Sequence, residues 1–522
     1  MSVTDLILNI LDLGRMAYTL RSQTFRRLYT VVKTYTRSSS SINKGLVLGL
    51  YNTENSEVFE LSTAAQNYDQ KVQGKLLEQI KLSGNKIKPG KSRIFWGLDN
   101  EYQAIAVVGV NNKSEKNELE LRSEKKENIR TAVAAGIRAL DAVDVKNISI
   151  ENFSDAEAVG ESSLLTGWKF QEYKSKKDEL PIINLFDADD ESCKLWKRGT
   201  LKGHAQNIAR RLADTPANLL TPSIFANQVK ELLTPLGVDV KVYDKEWAEN
   251  QKMGAFLAVA KGSIESPKFL ELTYKRKEGD PFVLVGKGVT FDAGGISLKP
   301  AAQMDQMRAD MSGAACAVGT LYGLAKLETP TNVKVLIPLV ENLPSGSAVK
   351  PGDVVFARNG KSICVDNTDA EGRLILADAL CYSAELKPRW VLDIATLTGA
   401  MMVALGDAAT GVFTNSNDLY KILESSGSET GDRVWRMPLW KHYTKKLSEN
   451  AAYDLNNISK GRGGGSCTAA AFLKEFVPEK TNWLHLDIAG VMGPDNTEPY
   501  LSKGMSGRPT RTLIDFLERQ SS

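Results

Sequence analysis

The stretch "FVLVGKGVTFDAGGISLKP", Phe282 to Pro300, opens on four apolar residues and then sets Lys287, Asp292 and Lys299 around a glycine pair. A short, continuously apolar run rich in β-branched residues suits a strand buried on both faces. The ionisable groups come where such a strand would end. In open α/β sheets the loops leaving the carboxyl ends of the strands build the site, so one stretch points both to a fold and to a place for chemistry.

Three further runs in the second half share this character: "VKVLIPLV", "RWVLDIATL" and "WLHLDIAG". Helical segments rich in alanine and leucine separate them, which predicts a largely parallel sheet covered on both faces. Between Gly45 and Cys193, "GLVLGLY" and "AIAVVGV" alternate with helical runs such as "NIRTAVAAGIRALDAV", the pattern of a smaller α/β layer. The stretch Asn111 to Asn128, rich in lysine and glutamate, reads as a solvated loop and a helix start. "DADDESCKLWKRGTLKGHAQNIARRLADTPAN" predicts one long helix ending before Pro216. The expected fold is α/β with two domains: a smaller N-terminal α/β domain over 44–193, a linking helix over 194–215, and a larger C-terminal α/β domain over 216–522 with a mostly parallel central sheet.

A chain of 522 residues, 42% hydrophobic and 25% charged, belongs with globular proteins rather than fibrous or disordered ones. No run of about 18 apolar residues suggests a membrane span. The cysteines (Cys193, Cys316, Cys364, Cys381, Cys467) are odd in number and free of any CxxC. That argues against a disulfide framework and a thiolate zinc site, and fits a reducing compartment.

From Leu13 to Thr53 there is no acidic residue, while Arg15, Arg21, Arg26, Arg27, Lys33 and Arg37 are basic. On a helical wheel Phe25, Leu28, Val32 and Tyr35 share one side, with Arg26, Lys33 and Arg37 opposite. This composition reads as a mitochondrial transit peptide over 1–43, the alternative being a disordered basic extension. Those residues carry six basic and two acidic side chains, so the formal net charge of +3 becomes −1 without them. The basic balance is therefore no nucleic-acid footprint.

Two more polar clusters join the first: "MRADMSGAA", which opens a helix of small residues, and "DNTDAEGR", between the strand "SICV" and the helix "LILADALCYSAEL". Together they offer Asp292, Asp310, Asp369 and Glu371 with Lys287, Lys299 and Arg373. Four carboxylates converging in an interior repel one another unless cations bind them. Two divalent metals about 3.5–4 Å apart would supply that charge, hold a water, lower its pKa toward about 7 and brace a developing oxyanion. Oxygen-rich, cysteine-free sites suit zinc, manganese or magnesium. A lysine ligates a metal only as the neutral amine, which nearby cations favour by depressing its pKa; a second lysine kept protonated can polarise a carbonyl.

Other chemistries find less support. His204, His442 and His485 stand in no HExxH, no GxSxG surrounds a serine, and "GKG" lacks P-loop spacing. His485 reads as a packed strand residue. "GRGGGSC", Gly461 to Cys467, reads as a flexible loop before an anion cradle. A two-metal phosphoesterase would use similar carboxylates, and the residues alone leave it open.

"VGKGVTFDAGGISLK", "MRADMSGAA" and above all "NTDAEGRLILADAL" resemble the leucine aminopeptidase family, the cytosol aminopeptidases with two metals per site. "ARRLADTPAN", "ENLPSGSAVKPGDVV", "ATLTGAM", "GDRVWRMPL" and "HLDIAGVM" extend the resemblance from about Gly45 to Leu517. It implies that Asp292, Asp369 and Glu371 bind one metal, and Lys287, Asp292, Asp310 and Glu371 the other. It makes Lys299 the electrophilic lysine and gives Arg373 a bicarbonate ion that serves as the base. Met307, Thr396, Gly399, Ala489 and Met492 match positions lining the side-chain pocket, with Leu397 beside the anion. The implied activity is release of N-terminal, leucine-like residues from peptides by a homohexamer whose sites face an enclosed interior. A silent paralogue would have lost ligands, and the set is complete. The N-terminal extension departs from the family pattern and sets the mitochondrial matrix beside the cytoplasm as a location.

Overall fold

Phe282–Gly286 is a strand with every residue buried, near the middle of a nine-stranded sheet. The computed structural model describes residues 43–52, 59–84, 86–111, 119–461, 463–494 and 497–521. The segment read as a transit peptide and residues 112–118 of the charged loop lie outside these.

The first sheet holds β1 (Lys44–Asn52), β2 (Phe59–Leu61), β3 (Ser92–Trp96), β4 (Ala104–Asn111), β5 (Asn147–Ile150) and β6 (Ile182–Leu185), in the order β3-β4-β1-β5-β6 with β2 on β1. β4, β1, β5 and β6 run parallel. Apolar residues line both faces: one packs on the helices Glu124–Ala142 and Ala156–Gly167, the other on Thr63–Lys71 and Lys75–Leu82.

The second sheet holds β7 (Asp239–Tyr243), β8 (Lys268–Lys275), β9 (Phe282–Gly286), β10 (Gly288–Asp292), β11 (Asn332–Asn342), β14 (Trp390–Ala395), β15 (Thr410–Thr414), β16 (Val434–Arg436) and β18 (Trp483–Asp487). Its order is β16-β15-β18-β14-β9-β11-β8-β7, with β10 on β11. β18, β14, β9 and β11 are parallel, as the apolar runs predict, while β15 and β8 enter antiparallel. Both faces are covered. The helices Asp190–Asp214, Pro222–Leu233, Ser312–Lys326 and Thr510–Ser521 pack on one, and Gly254–Ala260, Gly372–Ser383 and Gly465–Lys474 on the other.

The long helix forms where predicted, over Asp190–Asp214, with Asp189 capping it through Ser192 N. It touches both sheets' helices: Asn207 Nδ2 donates to Leu164 O in one, and Ala205, Ile208 and Leu212 join the core of the other.

Two local readings change. "SICV" is a strand, β13 (Ser362–Val365), but it belongs to a separate three-stranded sheet with β12 (Asp353–Phe356) and β17 (Leu455–Asn456). Strands of two to four residues carry too short a pattern to announce a sheet of their own. "GRGGGSC" is loop only in its first part, because the helix Gly465–Lys474 begins inside it.

Candidate metal centre

β9 and β10 run along β11 in succession, broken at Lys287 and shifted in register again between Val289 and Phe291. There the main chain bonds sideways: Lys287 N donates to Ile394 O, and Ala314 N, in the first turn of the helix Ser312–Lys326, donates to Lys287 O. The interruption leaves Lys287 buried, 2.6 Å from Asp310 Oδ2 and 2.9 Å from Glu371 Oε1. Its Nζ also donates to Thr396 O at 2.9 Å. Glycine at 372 makes room, since a Cβ there would stand 2.5 Å from Lys287 Cε.

Asp292 ends β10 opposite Asn342, the last residue of β11. Asn342 Nδ2 and Gly294 N both donate to Asp292 Oδ1, which leaves Oδ2 facing Lys299 Nζ at 2.8 Å. Gly294 and Gly295 take left-handed φ of 89° and 66°, where a side chain would be strained. That turn brings Lys299 back, 2.5 Å from Asp369 Oδ1.

Asp310 comes off the 3-10 turn Met304–Ala309, and Asp369 and Glu371 off β13, so only the first cluster leaves a strand of the central sheet. Asp310 does not N-cap the helix that follows: Met311 holds that position, and Asp310 Oδ1 accepts from Thr396 Oγ1 at 2.7 Å. Glu371 sits at the N-cap of the helix Gly372–Ser383 without capping it through its side chain. Both carboxylates are thus free of the structural tasks their positions suggest.

Asp292, Asp369 and Glu371 present three oxygens within 4.8 Å of one another. Burial pushes the carboxyl groups of Asp292, Asp310 and Asp369 up; Glu371 adds to this for the first two, and Asp292 for Asp369. Burial works against the ammonium groups of Lys287 and Lys299, but the carboxylates outweigh it and hold both above the usual lysine range. Asp310 Oδ2, Asp369 Oδ1 and Glu371 Oε1 have a lysine ammonium beside them and no other donor among the described residues, so four carboxylates share two cations. Four carboxylates against two ammonium groups, an oxygen set with one amine as a further ligand, suit hard or borderline divalent cations. The residues present fit a divalent metal at Asp292, Asp369 and Glu371.

Arg373, one residue into its helix, is buried; Nη1 donates to Asn457 O at 2.6 Å and Nε has no partner. Burial brings its guanidinium down to about 10 against the pull of Glu371 and Asp487. Of the pocket residues, Met307 lies on the 3-10 turn, Thr396, Leu397 and Gly399 follow β14, and Ala489 and Met492 follow β18. Met492 is almost wholly buried, with Ser506 Oγ 3.9 Å from its sulfur.

Sequence reasoning missed three supporting residues. Asn342 orients Asp292. Asn457 Oδ1 accepts from Asp366 N and Asn367 N, holding the loop that carries Asp369. Asp393 receives Trp483 Nε1 at 2.7 Å and pairs with His485 Nδ1 at 2.5 Å. Asn342 stood within the quoted "ENLPSGSAVKPGDVV", where its position at a strand end was the available signal. Asp393 and His485 face each other across β14 and β18, a register that no local pattern encodes.

The comparisons agree over nearly the whole chain. The profile described as "Cytosol aminopeptidase family, N-terminal domain" matches residues 47–177, and "Cytosol aminopeptidase family, catalytic domain" matches 207–514. A cytosol aminopeptidase of Xenopus tropicalis is 51% identical over 92% of this chain and 94% of its own length; that of Homo sapiens is 49% identical over 93% and 94%. Among solved structures, the bottromycin maturation enzyme BotP superposes with a TM-score of 0.79 at 30% identity, covering 92% of this chain and 100% of its own. The same enzyme in complex with Mn superposes at 0.78. With both profiles matched and half of all residues shared along almost its full length, the chain belongs to the cytosol aminopeptidase family.

Proposed function

We propose that the chain's metal-dependent aminopeptidase activity is carried by two divalent ions per subunit, zinc or manganese before magnesium, at Asp292, Asp369 and Glu371 on one side and Lys287, Asp292, Asp310 and Glu371 on the other. The observation that supports this reading most is the convergence of four carboxylates on only two lysines. When bound, the ions supply the charge that activates water and a docking point for the free α-amine of the peptide.

The chain's own groups do the rest. Lys299, kept protonated by Asp292 and Asp369, donates to the scissile carbonyl oxygen as negative charge develops there. Arg373, with its unpartnered Nε, holds bicarbonate as the base. Thr396, Gly399, Met307, Ala489 and Met492 receive a leucine-like side chain, with Leu397 beside the anion. Hydrolysis of leucine amide and of a phosphate ester, each with and without chelator, tests the reaction class. Chelator-sensitive cleavage of the amide alone is expected, and an N-acetylated leucyl peptide should be inert. Cleavage of that blocked peptide at the rate of the free one would remove the exopeptidase reading.

Peptides are the substrates, and the assembly is a homohexamer, which sedimentation velocity tests. No helix among the described residues is long and apolar enough to cross a membrane. The protein acts in the mitochondrial matrix or the cytoplasm; the N-terminal sequence of the mature protein from each fraction decides between them.

A further inference from the structure

The two segments read as pocket walls, Thr396 to Gly399 and Ala489 to Met492, leave neighbouring parallel strands, and one buried side chain lies at the root of both. Ala395 and Asp487 are direct partners at the carboxyl ends of β14 and β18. From there Asp487 Oδ1 accepts from Leu397 N at 3.1 Å and from Ala489 N at 3.2 Å. Its Oδ2 accepts from Thr398 Oγ1 at 2.7 Å. Thr398 Oγ1 in turn accepts from Met401 N, capping the short helix Gly399–Leu405.

Three donors from two segments about ninety residues apart in sequence therefore converge on one acceptor-only group. Beneath it the row continues through His485, stacked against Phe413, to Asp393 and Trp483. The charges facing Asp487 are His485 on its own strand and Arg373 on the covering helix. A buried carboxylate with that much support is held in one geometry, and it hands the geometry on to both walls.

We propose that Asp487 is a positioning residue that sets the width of the side-chain pocket by tying Leu397 and Thr398 to Ala489, an inference that rests on the pocket reading given above. It touches no substrate. Its effect is on discrimination between side chains, because a pocket that fits one methylene better than another needs walls that do not move.

The test compares kcat/KM for leucine amide and glycine amide in Asp487→Ala, Asp487→Asn, Thr398→Val and Ala489→Leu, with metal content measured for each. Asp487→Ala should lose about tenfold in leucine-over-glycine preference, mainly through KM, with metal content unchanged. Thr398→Val should move the preference in the same direction by less, and it carries the test if the alanine variant does not fold. Asp487→Asn should keep the preference within about twofold, since its oxygen still accepts both main-chain N–H groups and its NH2 can donate to Thr398 Oγ1. Equal loss in the asparagine and alanine variants would assign the effect to charge and overturn the clamp, as would loss of metal from Asp487→Ala. If Ala489→Leu shifts the preference while Asp487→Ala and Thr398→Val do not, the pocket stands and the clamp falls. If none shifts it, the pocket reading falls and takes the clamp with it.

Discussion

Two clusters of charge, each with groups buried away from water, behave in opposite ways. One joins the two sheets' helices: Glu161 Oε2 accepts from Arg130 Nε at 2.9 Å and from Arg511 Nη1 at 2.6 Å, and Arg508 Nε donates to Asp432 Oδ1 at 2.7 Å. The other is the candidate metal centre. Burial by itself raises Glu161 as it raises Asp310, but Arg130 and Arg511 overcome it and draw the Glu161 carboxyl down to about 2. Asp310 stays well above the ordinary carboxylate range. The balance of charge differs as well: in the latch between the two sheets' helices Arg130, Arg508 and Arg511 face Glu127, Glu161 and Asp432, whereas in the site Lys287 and Lys299 face the four carboxylates Asp292, Asp310, Asp369 and Glu371. Burial therefore does not mark function, whereas an excess of carboxylates over cations marks a place that awaits cations.

The sharpest way to break the comparison is inside the site. Asp369→Ala should lower bound metal, while Arg373→Ala should keep it and slow kcat by about 10²–10⁴-fold, the range typical of a lost general base. Elemental analysis beside turnover separates them. Equal metal loss in both would make Arg373 part of the metal centre and remove its assignment to bicarbonate.

The latch should respond in stability instead. Glu161→Ala leaves Arg130 and Arg511 buried without their shared carboxylate, at a cost of about 3–5 kcal/mol, with metal content unchanged. Because the folded carboxyl titrates near 2, its stabilisation is fully present above about pH 4.5 and fades as pH falls through 2. Denaturant midpoints across that range measure it.

Metal should stabilise the site that the latch does not need. Saturation at about 100–1,000 times Kd raises the unfolding free energy by roughly 3–4 kcal/mol, and chelation reverses it. A chelated protein with unchanged Tm would contradict the cation-seeking reading of the carboxylates.

The smallest effect concerns a third kind of buried acid. Glu151 has Ser62 Oγ and Gly49 for partners and no cation, and burial pushes it up to about 7. Its contribution is complete below about pH 4.5 and lost as pH rises through 7, by up to about 3 kcal/mol. Glu151→Gln should flatten that slope, so the variant should gain on the parent between pH 5 and pH 8 in thermal unfolding.

What the sequence discloses follows from the range of each interaction. The apolar runs of β9, β11, β14 and β18 are local, and the parallel sheet is legible from them. Asp292, Asp369 and Glu371 stand in short runs flanked by glycine, so the candidate ligands are legible too. Asn342, Asn457 and Asp487 are not, because each acts through a partner brought near only by the fold; Asn457 reaches back 91 residues to Asp366. The latch is further out of reach, since arginine and glutamate on helices look like solvated faces until the helices are packed.

The Arg511–Glu161 pair spans 350 residues. On the ribosome, Glu161 and Arg130 are made early and must wait until almost the whole catalytic sheet has been synthesised before their guanidinium partner exists. Until then Arg130 can pair with Glu127 and Glu161 on the helices Glu124–Ala142 and Ala156–Gly167, but the second guanidinium of the set is still missing. The first sheet can form as its residues emerge, whereas the latch closes in full only when the helix Thr510–Ser521 arrives. The pair that ties the two sheets together is thus among the last contacts that synthesis makes available.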